Sequence, residues 1–311
     1  MDNEQLDVVI AGGGPGGLNA ALVLGRSLKK VLVIDEGEPR NSATLVSHGF
    51  LTRDGSSPNE IREIARQQLK TYPNVTFMMD VIEDVERKNG LFYVKTKNGK
   101  TASGKKMIFA TGMKDHLPNI PGLKEVYGKT VFHCPYCDGW ERQHDPIALF
   151  AQGKALLPFV KLIFNWSHDL MIFSNGPAGI TAEEREQLEH YGIPLIETPI
   201  AELKSTDGQL KKVILQSGES IHRSGGFMAS TGERQSSILP ARLGIPLNDK
   251  NEYVTGQHGQ TELKDLFIIG DAKNTFTSLV GAASQGYEAA VKINGDLAAE
   301  NWAAGLKTTS R

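Results

Sequence analysis

Short apolar runs closed by glycine-containing turns set the pattern of this 311-residue chain. DVVIAGGGPGGLNAALVLG (7–25) predicts a strand, a glycine turn and a helix in direct succession. KKVLVID (29–35) predicts a strand ending at Asp35, KKMIFATG (105–112) another, and TELKDLFIIGDA (261–272) one that ends at Gly270-Asp271. DPIALFAQGKALLPFV (145–160) and DLMIFSNG (169–176) each contain a further strand. The small-residue stretch SLVGAASQG opens a helix near Ser278. Phe92 and Val94 alternate with other residues ahead of Asn98-Gly99, a strong hairpin-turn dipeptide. The five lysines between Lys95 and Lys106 therefore read as flanks of a solvated hairpin rather than as a basic binding patch.

The length suggests about two domains, with ample chain to bury a core. Hydrophobic residues make up 40% and charged residues 23%, which is ordinary for a globular protein, and a formal charge of -2 gives no sign of a nucleic-acid or membrane partner. No apolar stretch approaches the roughly 18 residues that a membrane helix needs. The acidic N-terminus runs straight into the first strand, so no signal peptide is expected. Two cysteines and no secretion signal point to a reducing cytoplasm.

Both cysteines stand in HCPYCDGWE (133–141) as the C-x-x-C pair Cys134 and Cys137. Three chemistries compete: a structural disulfide, half of a zinc site, or a dithiol that is oxidised and reduced in turn. A disulfide closing a loop of about four residues gains only ~2 kcal/mol in the chain-entropy model, and the cytosol would reduce it. Zinc needs four ligands; there is no second cysteine pair, and His133 and His144 fit no common zinc spacing, so no metal is expected. Redox chemistry is the leading reading. Pro135 suits the first turn of a helix, which places Cys134 at an N-terminus whose dipole favours a thiolate.

A redox dithiol needs an electron donor or acceptor, and the N-terminus offers a dinucleotide site. Gly12, Gly14 and Gly17 form G-x-G-x-x-G between strand and helix, the context that gives the motif meaning. Gly12 permits the tight turn, Gly14 lets backbone approach a pyrophosphate, and Gly17 lets helix and strand pack closely. Asp35, 23 residues after Gly12, stands where a carboxylate meets ribose hydroxyls, and Glu36 could share the role. The turns at Thr111-Gly112 and Gly270-Asp271 lie at strand ends, where α/β sheets bind ligands.

GGGPGG (12–17), Asp35-Glu36, ATG (110–112), CPYC-D (134–138) and GD (270–271), in this order, resemble the low-molecular-weight thioredoxin reductases over essentially the whole chain. The resemblance implies two Rossmann-like, three-layer ββα domains: an FAD domain from residues 1–117 and 246–311, and an inserted dinucleotide-type domain, 118–245, carrying the cysteines. The proline- and glycine-rich stretches DHLPNIPG (115–122) and LGIPLND (243–249) fall at the hinge. The resemblance also implies FAD contacts from Pro15, Arg40, Asn41, His48, Val81, Leu279 and Val280 beside the motif residues. His48 could equally be a loop histidine without a role. Cys137 is implied to face the flavin and Cys134 to exchange with substrate. Asp138 matches the acid that protonates the departing thiolate, or it merely complements a helix dipole. A homodimer and a thioredoxin-like protein or small dithiol or disulfide as partner are further expectations.

One departure stands out. The inserted domain of such enzymes binds NADPH through a second glycine motif, yet here Gly153 is the only glycine in 145–160. The next strand ends in Ser-Asn-Gly where the family carries a His-Arg-Arg cluster, so the 2'-phosphate has no adjacent cation. The same loss occurs in dithiol oxidases associated with the holomycin and gliotoxin pathways and in ferredoxin-linked reductases of this fold, which the sequence also resembles in EPRNSATLVSHGFLTRDG (38–55) and CPYCDGWE. The expectation is an FAD-dependent thiol–disulfide oxidoreductase whose NADPH use is lost or altered, with oxygen or ferredoxin as the other redox partner. An ordinary NADPH-dependent thioredoxin reductase is the alternative. A non-catalytic flavin-binding redox sensor is a third reading, separated from the enzymes by its lack of steady turnover.

Overall fold

The computed structural model describes residues 5–275 and 277–309. They divide into two compact units, one from the chain up to Arg40, Asn59–Lys114 and the chain from Arg234 onward, the other from Asn41–Pro58 and Asp115–Glu233. These divisions fall a few residues before the expected boundary at 117/118 and a dozen before that at 245/246. They also place the stretch 41–58 with the cysteine-bearing unit.

The first unit runs β1 (Leu6–Ala11), α1 (Pro15–Arg26), β2 (Val31–Asp35), α2 (Pro58–Leu69), β3 (Val75–Met79), β4 (Ile82–Lys88), β5 (Leu91–Thr96) and β6 (Thr101–Phe109). β3, β2, β1 and β6 lie side by side in parallel, β5 and β4 continue from β6 as an antiparallel meander, and the strand Leu266–Ile268 joins β6 in parallel. Both faces of the parallel strands are covered. Val8 and Ile10 pack with Leu24 of α1 and with Ala290 and Ile293 of the C-terminal helix, Leu279–Thr309. Val9 and Ala11 pack with Phe92 and Val94 of the meander and with Tyr253. Two covered faces explain why β1 is apolar at every position from Val8 to Ala11 instead of alternating. α1 and the C-terminal helix meet through small residues: a Cβ on Gly286 would lie 2.1 Å from the Gly16 carbonyl oxygen.

The hairpin at Asn98-Gly99 forms as expected, with Lys95 opposite Thr101 and Gly99 at φ 77°. Lys106 corrects the solvated-hairpin reading. Its side chain is 2% exposed, and Nζ donates to Asp265 at 2.6 Å and to Glu300 at 2.5 Å. It sits where β6 leaves the meander and enters the covered parallel sheet, so its charge is satisfied by carboxylates from far along the chain.

The second unit has a five-stranded parallel sheet in the order Leu195–Ile196, Leu170–Phe173, Ile147–Phe150, Gly225–Met228, Val131–Phe132. An antiparallel sheet of Ile200–Thr206, Gln209–Leu215 and Ser220–His222 accompanies it. One face of the parallel sheet packs on the helix Leu156–Ile163 through Leu156, Leu157, Val160 and Ile163. The other packs on Leu203, Leu210 and Val213 of the antiparallel sheet. Among the described residues no helix is long and apolar enough to cross a membrane.

Candidate dinucleotide cradle and redox centre

In the first unit the turn from β1 to α1 has the geometry that its glycines predict. Gly12 takes φ 103°, and a Cβ there would lie 2.4 Å from the Ala110 carbonyl oxygen. A Cβ on Gly17 would lie 2.0 Å from the Gly12 oxygen, so helix and turn touch backbone to backbone. Gly14 is the opposite: nothing lies within 4 Å of its Cβ position. It is the N-cap of α1, with Pro15 following and no side-chain cap. The first turn therefore presents backbone N–H groups and the positive end of the helix to open space.

Other residues expected at this site lie in the same unit. Asp35, at the end of β2, accepts the Gly13 N–H at 3.0 Å. Its other oxygen accepts from Arg62 and Arg66, both at 2.6 Å. Arg62 also reaches the carbonyl oxygens of Gly13 (3.4 Å) and Gly37 (3.2 Å), which ties α2 to the glycine turn. Glu36 turns instead to Lys114, at 3.1 Å. Val81 follows Asp80, whose N–H donates to the Asp35 carbonyl, and Val81 is 37% exposed. Thr111 carries a buried hydroxyl that has no hydrogen-bond partner. Gly112 takes φ 64°. Arg40 and Asp271, 231 residues apart, pair at 3.3 Å. Gly270 takes φ 72° and donates its N–H to Gln285. Leu279 and Val280 open the C-terminal helix, with Val280 46% exposed.

In the second unit Cys134 and Cys137 are joined as a disulfide, with their Cα atoms 5.3 Å apart. Cys134 is the N-cap of the helical turn Pro135–Asp138, which follows the strand Val131–Phe132. The Cys134 carbonyl accepts the N–H groups of Cys137 and Asp138. Asp138, the last residue of this turn, is half-buried. Burial, and then the negative charge of Glu141, push its carboxyl up to about 7, against the opposing pull of His48 and Arg142. A carboxyl poised near neutral pH can both hold and release a proton there.

His48 lies in the same unit, at the residues following the cysteines. Its Nε2 is 3.5 Å from Glu141 and its Nδ1 3.4 Å from Asp54. Asn41 stands in the 3-10 turn Arg40–Ala43, where its carbonyl accepts the Thr44 N–H. His133 and Tyr127 meet through Nδ1 and the hydroxyl at 3.2 Å, and that hydroxyl donates to Asp115 at 2.8 Å.

The strand–turn–helix that corresponds to a second dinucleotide turn is also present, built differently. Ile147–Phe150 leads through Gly153, φ 64°, into the helix Leu156–Ile163. Its first two residues, Leu156 and Leu157, are buried. At the end of the next strand, the Ser174 hydroxyl donates to the Gly176 carbonyl and the Asn175 side chain accepts the Ile200 N–H. The Ala178 N–H is taken by Glu197, which also pairs with Arg185 at 3.1 Å. That N–H holds the Glu197 carboxyl below its usual range. An anion brought here meets a carboxylate, and the nearby guanidinium is already engaged.

Sequence reasoning missed Arg62, Arg66, Gln285, Glu141 and the Tyr127–Asp115 pair. Arg62 and Arg66 carried one readable signal, an i,i+4 spacing that puts both on one helix face.

The family description for pyridine nucleotide-disulphide oxidoreductases matches residues 6–157 and 166–286. A probable thioredoxin reductase from Arthroderma benhamiae is 32% identical over 97% of this chain and 83% of its own length. Among solved structures, a putative thioredoxin reductase TrxB from Bacillus anthracis superposes with TM-score 0.91 and 37% identity, covering 95% of this chain and 99% of its own. HlmI superposes with TM-score 0.93 and 31% identity, covering 99% of this chain and 97% of its own.

Proposed function

The chain belongs to the pyridine nucleotide-disulphide oxidoreductase family, and on that premise we propose that it is an FAD-dependent thiol–disulfide oxidoreductase without ordinary use of NADPH. It is a thioredoxin reductase-like enzyme, and FAD is the cofactor of that family. The residues of the first unit fit FAD. The space at Gly14 admits a pyrophosphate, the uncapped α1 N-terminus favours its charge, and the buried Thr111 hydroxyl lacks a partner. Asp35 retains acceptor capacity for ribose hydroxyls while Gly13, Arg62 and Arg66 hold it in place. Arg40, Asp271 and the first turn of the C-terminal helix complete the set that would hold the group. Bound FAD supplies a two-electron acceptor and donor.

In this reading Cys134 exchanges with a dithiol or disulfide, and Cys137 is the sulfur that communicates with the flavin. Asp138 holds or returns a proton at the Cys137 sulfur, which a carboxyl titrating near 7 is suited to do. The substrate is a thioredoxin-like protein or a small dithiol or disulfide. The observation that carries the NADPH part is the contrast between the two glycine turns. Both leave open space at a glycine, Gly14 and Gly153, but the second opens its helix with buried Leu156 and Leu157 and places Glu197 on a nearby N–H. Electrons then come from, or go to, something other than NADPH, with oxygen or a ferredoxin as the candidates.

Anaerobic titration with a model dithiol tests the thiol–flavin route. The flavin of the unaltered protein should bleach, and that of Cys137→Ser should not. Equal bleaching of both proteins, or none in either, contradicts the reading.

A further inference from the structure

Gln235 stands where the chain re-enters the first unit, in the short strand Arg234–Gln235 that pairs antiparallel with Met113–Lys114. It lies directly opposite Met113, and the next residue, Ser236, donates its N–H to the Gly112 carbonyl at 3.1 Å. Its side chain reaches the other strand end of the site. Nε2 donates to the Ala272 carbonyl at 2.9 Å, next to Asp271, and to the Asn251 carbonyl at 2.6 Å. Two carbonyl contacts fix the orientation of the amide, since an oxygen in that place would face two acceptors. The other amide atom is therefore the oxygen, Oε1, and it is buried without a hydrogen-bond partner. Donors on the segments that hold the amide are spent elsewhere. The Tyr253 N–H goes to Ala272 and its hydroxyl to the Ser237 carbonyl, while the N–H groups of Asn251 and Lys273 go to Asn248 and Gly270. A buried amide oxygen left in this way is costly, and native folds keep few of them. Thr111, two residues before Met113, carries the same mark on its hydroxyl.

We propose that Gln235 is a cofactor-positioning residue whose Oε1 accepts a hydrogen bond from the flavin half of bound FAD. The proposal rests on the FAD reading above. Strand order decides which half. β2, which ends at Asp35, lies beside β1, which leads into the glycine turn; β6 follows, and the strand Leu266–Ile268 pairs with β6. With ribose hydroxyls at Asp35 and the pyrophosphate at the glycine turn, the rest of the molecule would run on to Thr111-Gly112 and Gly270-Asp271. Those are the two strand ends that Gln235 joins. The pyrophosphate has only acceptors and cannot satisfy an amide oxygen. The flavin half has donors, the ring imide N–H and the ribityl hydroxyls.

The experiment separates the two halves of the cofactor. Protein freed of flavin is titrated with FAD and, separately, with ADP, which carries the adenosine and pyrophosphate alone. Gln235→Leu should bind FAD about 10-fold more weakly, while its affinity for ADP stays within about twofold of that of the unaltered protein. Unchanged FAD affinity overturns the proposal. So does an equal loss for FAD and ADP, which would make Gln235 a brace between the two strand ends and no more. Should Gln235→Leu fail to fold, the crystal structure of the flavin-loaded unaltered protein decides without a variant. Oε1 within about 3.2 Å of the ring imide nitrogen or a ribityl oxygen supports the contact and identifies the donor, whereas a water or a protein donor in that place overturns it. If the unaltered protein takes up no FAD at all, the FAD reading falls and the proposal with it, a result distinct from the others.

Discussion

The two strand–turn–helix segments, residues 6–26 in the first unit and 147–163 in the second, share a topology and differ in how the turn is built and in what begins the helix after it. Around Gly12–Gly17 the backbone closes on itself at two glycines and leaves the third bare, so an uncapped helix start faces open space. In the second segment Gly153 alone turns the chain and is likewise bare, but Leu156 and Leu157 immediately begin packing the core. A parallel α/β sheet needs only an apolar strand, a turn and an apolar helix face. A phosphate needs bare backbone and uncommitted N–H groups at one place. The first requirement can be met without the second, which is the difference the proposed function rests on.

Four substitutions break or sharpen this comparison. Gly17→Val has the largest expected effect. Its Cβ would meet the Gly12 carbonyl at 2.0 Å with no flexible side chain to give way, so the first unit should not fold, seen as loss of soluble protein or of its cooperative melt. Gly14→Val should fold, because its Cβ meets nothing, but the branched side chain fills the cradle. That protein should purify colourless and fail to take up added FAD, while its melting stays close to that of unaltered protein freed of flavin. Arg62→Ala removes charged hydrogen bonds from Asp35 and the glycine turn, and should weaken FAD binding about 10-fold by equilibrium titration. Gly153→Ala is the mildest. Its position is open but at φ 64°, so stability should fall by about 1 kcal/mol, with flavin content unchanged.

Asp138 supplies a test in the second unit that needs no flavin. Its carboxyl titrates at about 7 in the folded chain and near 3.8 when unfolded. Between those values the folded state holds the extra proton, so stability falls as pH rises through that window. Asp138→Asn removes this dependence. Its melting temperature should therefore gain on that of the unaltered protein as pH rises towards 7, and the difference should stop growing above it. A difference independent of pH would mean that the carboxyl is not held neutral by its surroundings.

Local chemistry was legible in the sequence wherever it had a period or a fixed spacing. The apolar runs of β1, β2 and β6, the Asn98-Gly99 hairpin and the helix start near Ser278 all stand where their residues place them. The cysteine turn does too, since Pro135 begins the helical turn that Cys134 caps. Pairings between distant polar residues left no such trace. Lys106 reads like its hairpin neighbours, and only the arrival of Asp265 and Glu300 makes it a buried ion. Arg62 and Arg66 become Asp35 ligands because α2 folds back on β2, and His48 meets Glu141 because residues 41–58 pack with the cysteine-bearing unit. The inserted unit's boundaries also differ from those read from the hinge sequences, because composition marks a turn and not the plane along which contacts divide.

The central claim, that one dinucleotide turn binds and the other does not, is tested most directly by anaerobic rapid mixing of the flavin-loaded protein with NADPH and, separately, with a dithiol. The account predicts that the dithiol bleaches the flavin at a rate that supports turnover while NADPH does so far more slowly or not at all. Bleaching by NADPH at the turnover rate would contradict it, and would make the second turn a working nucleotide site of another design.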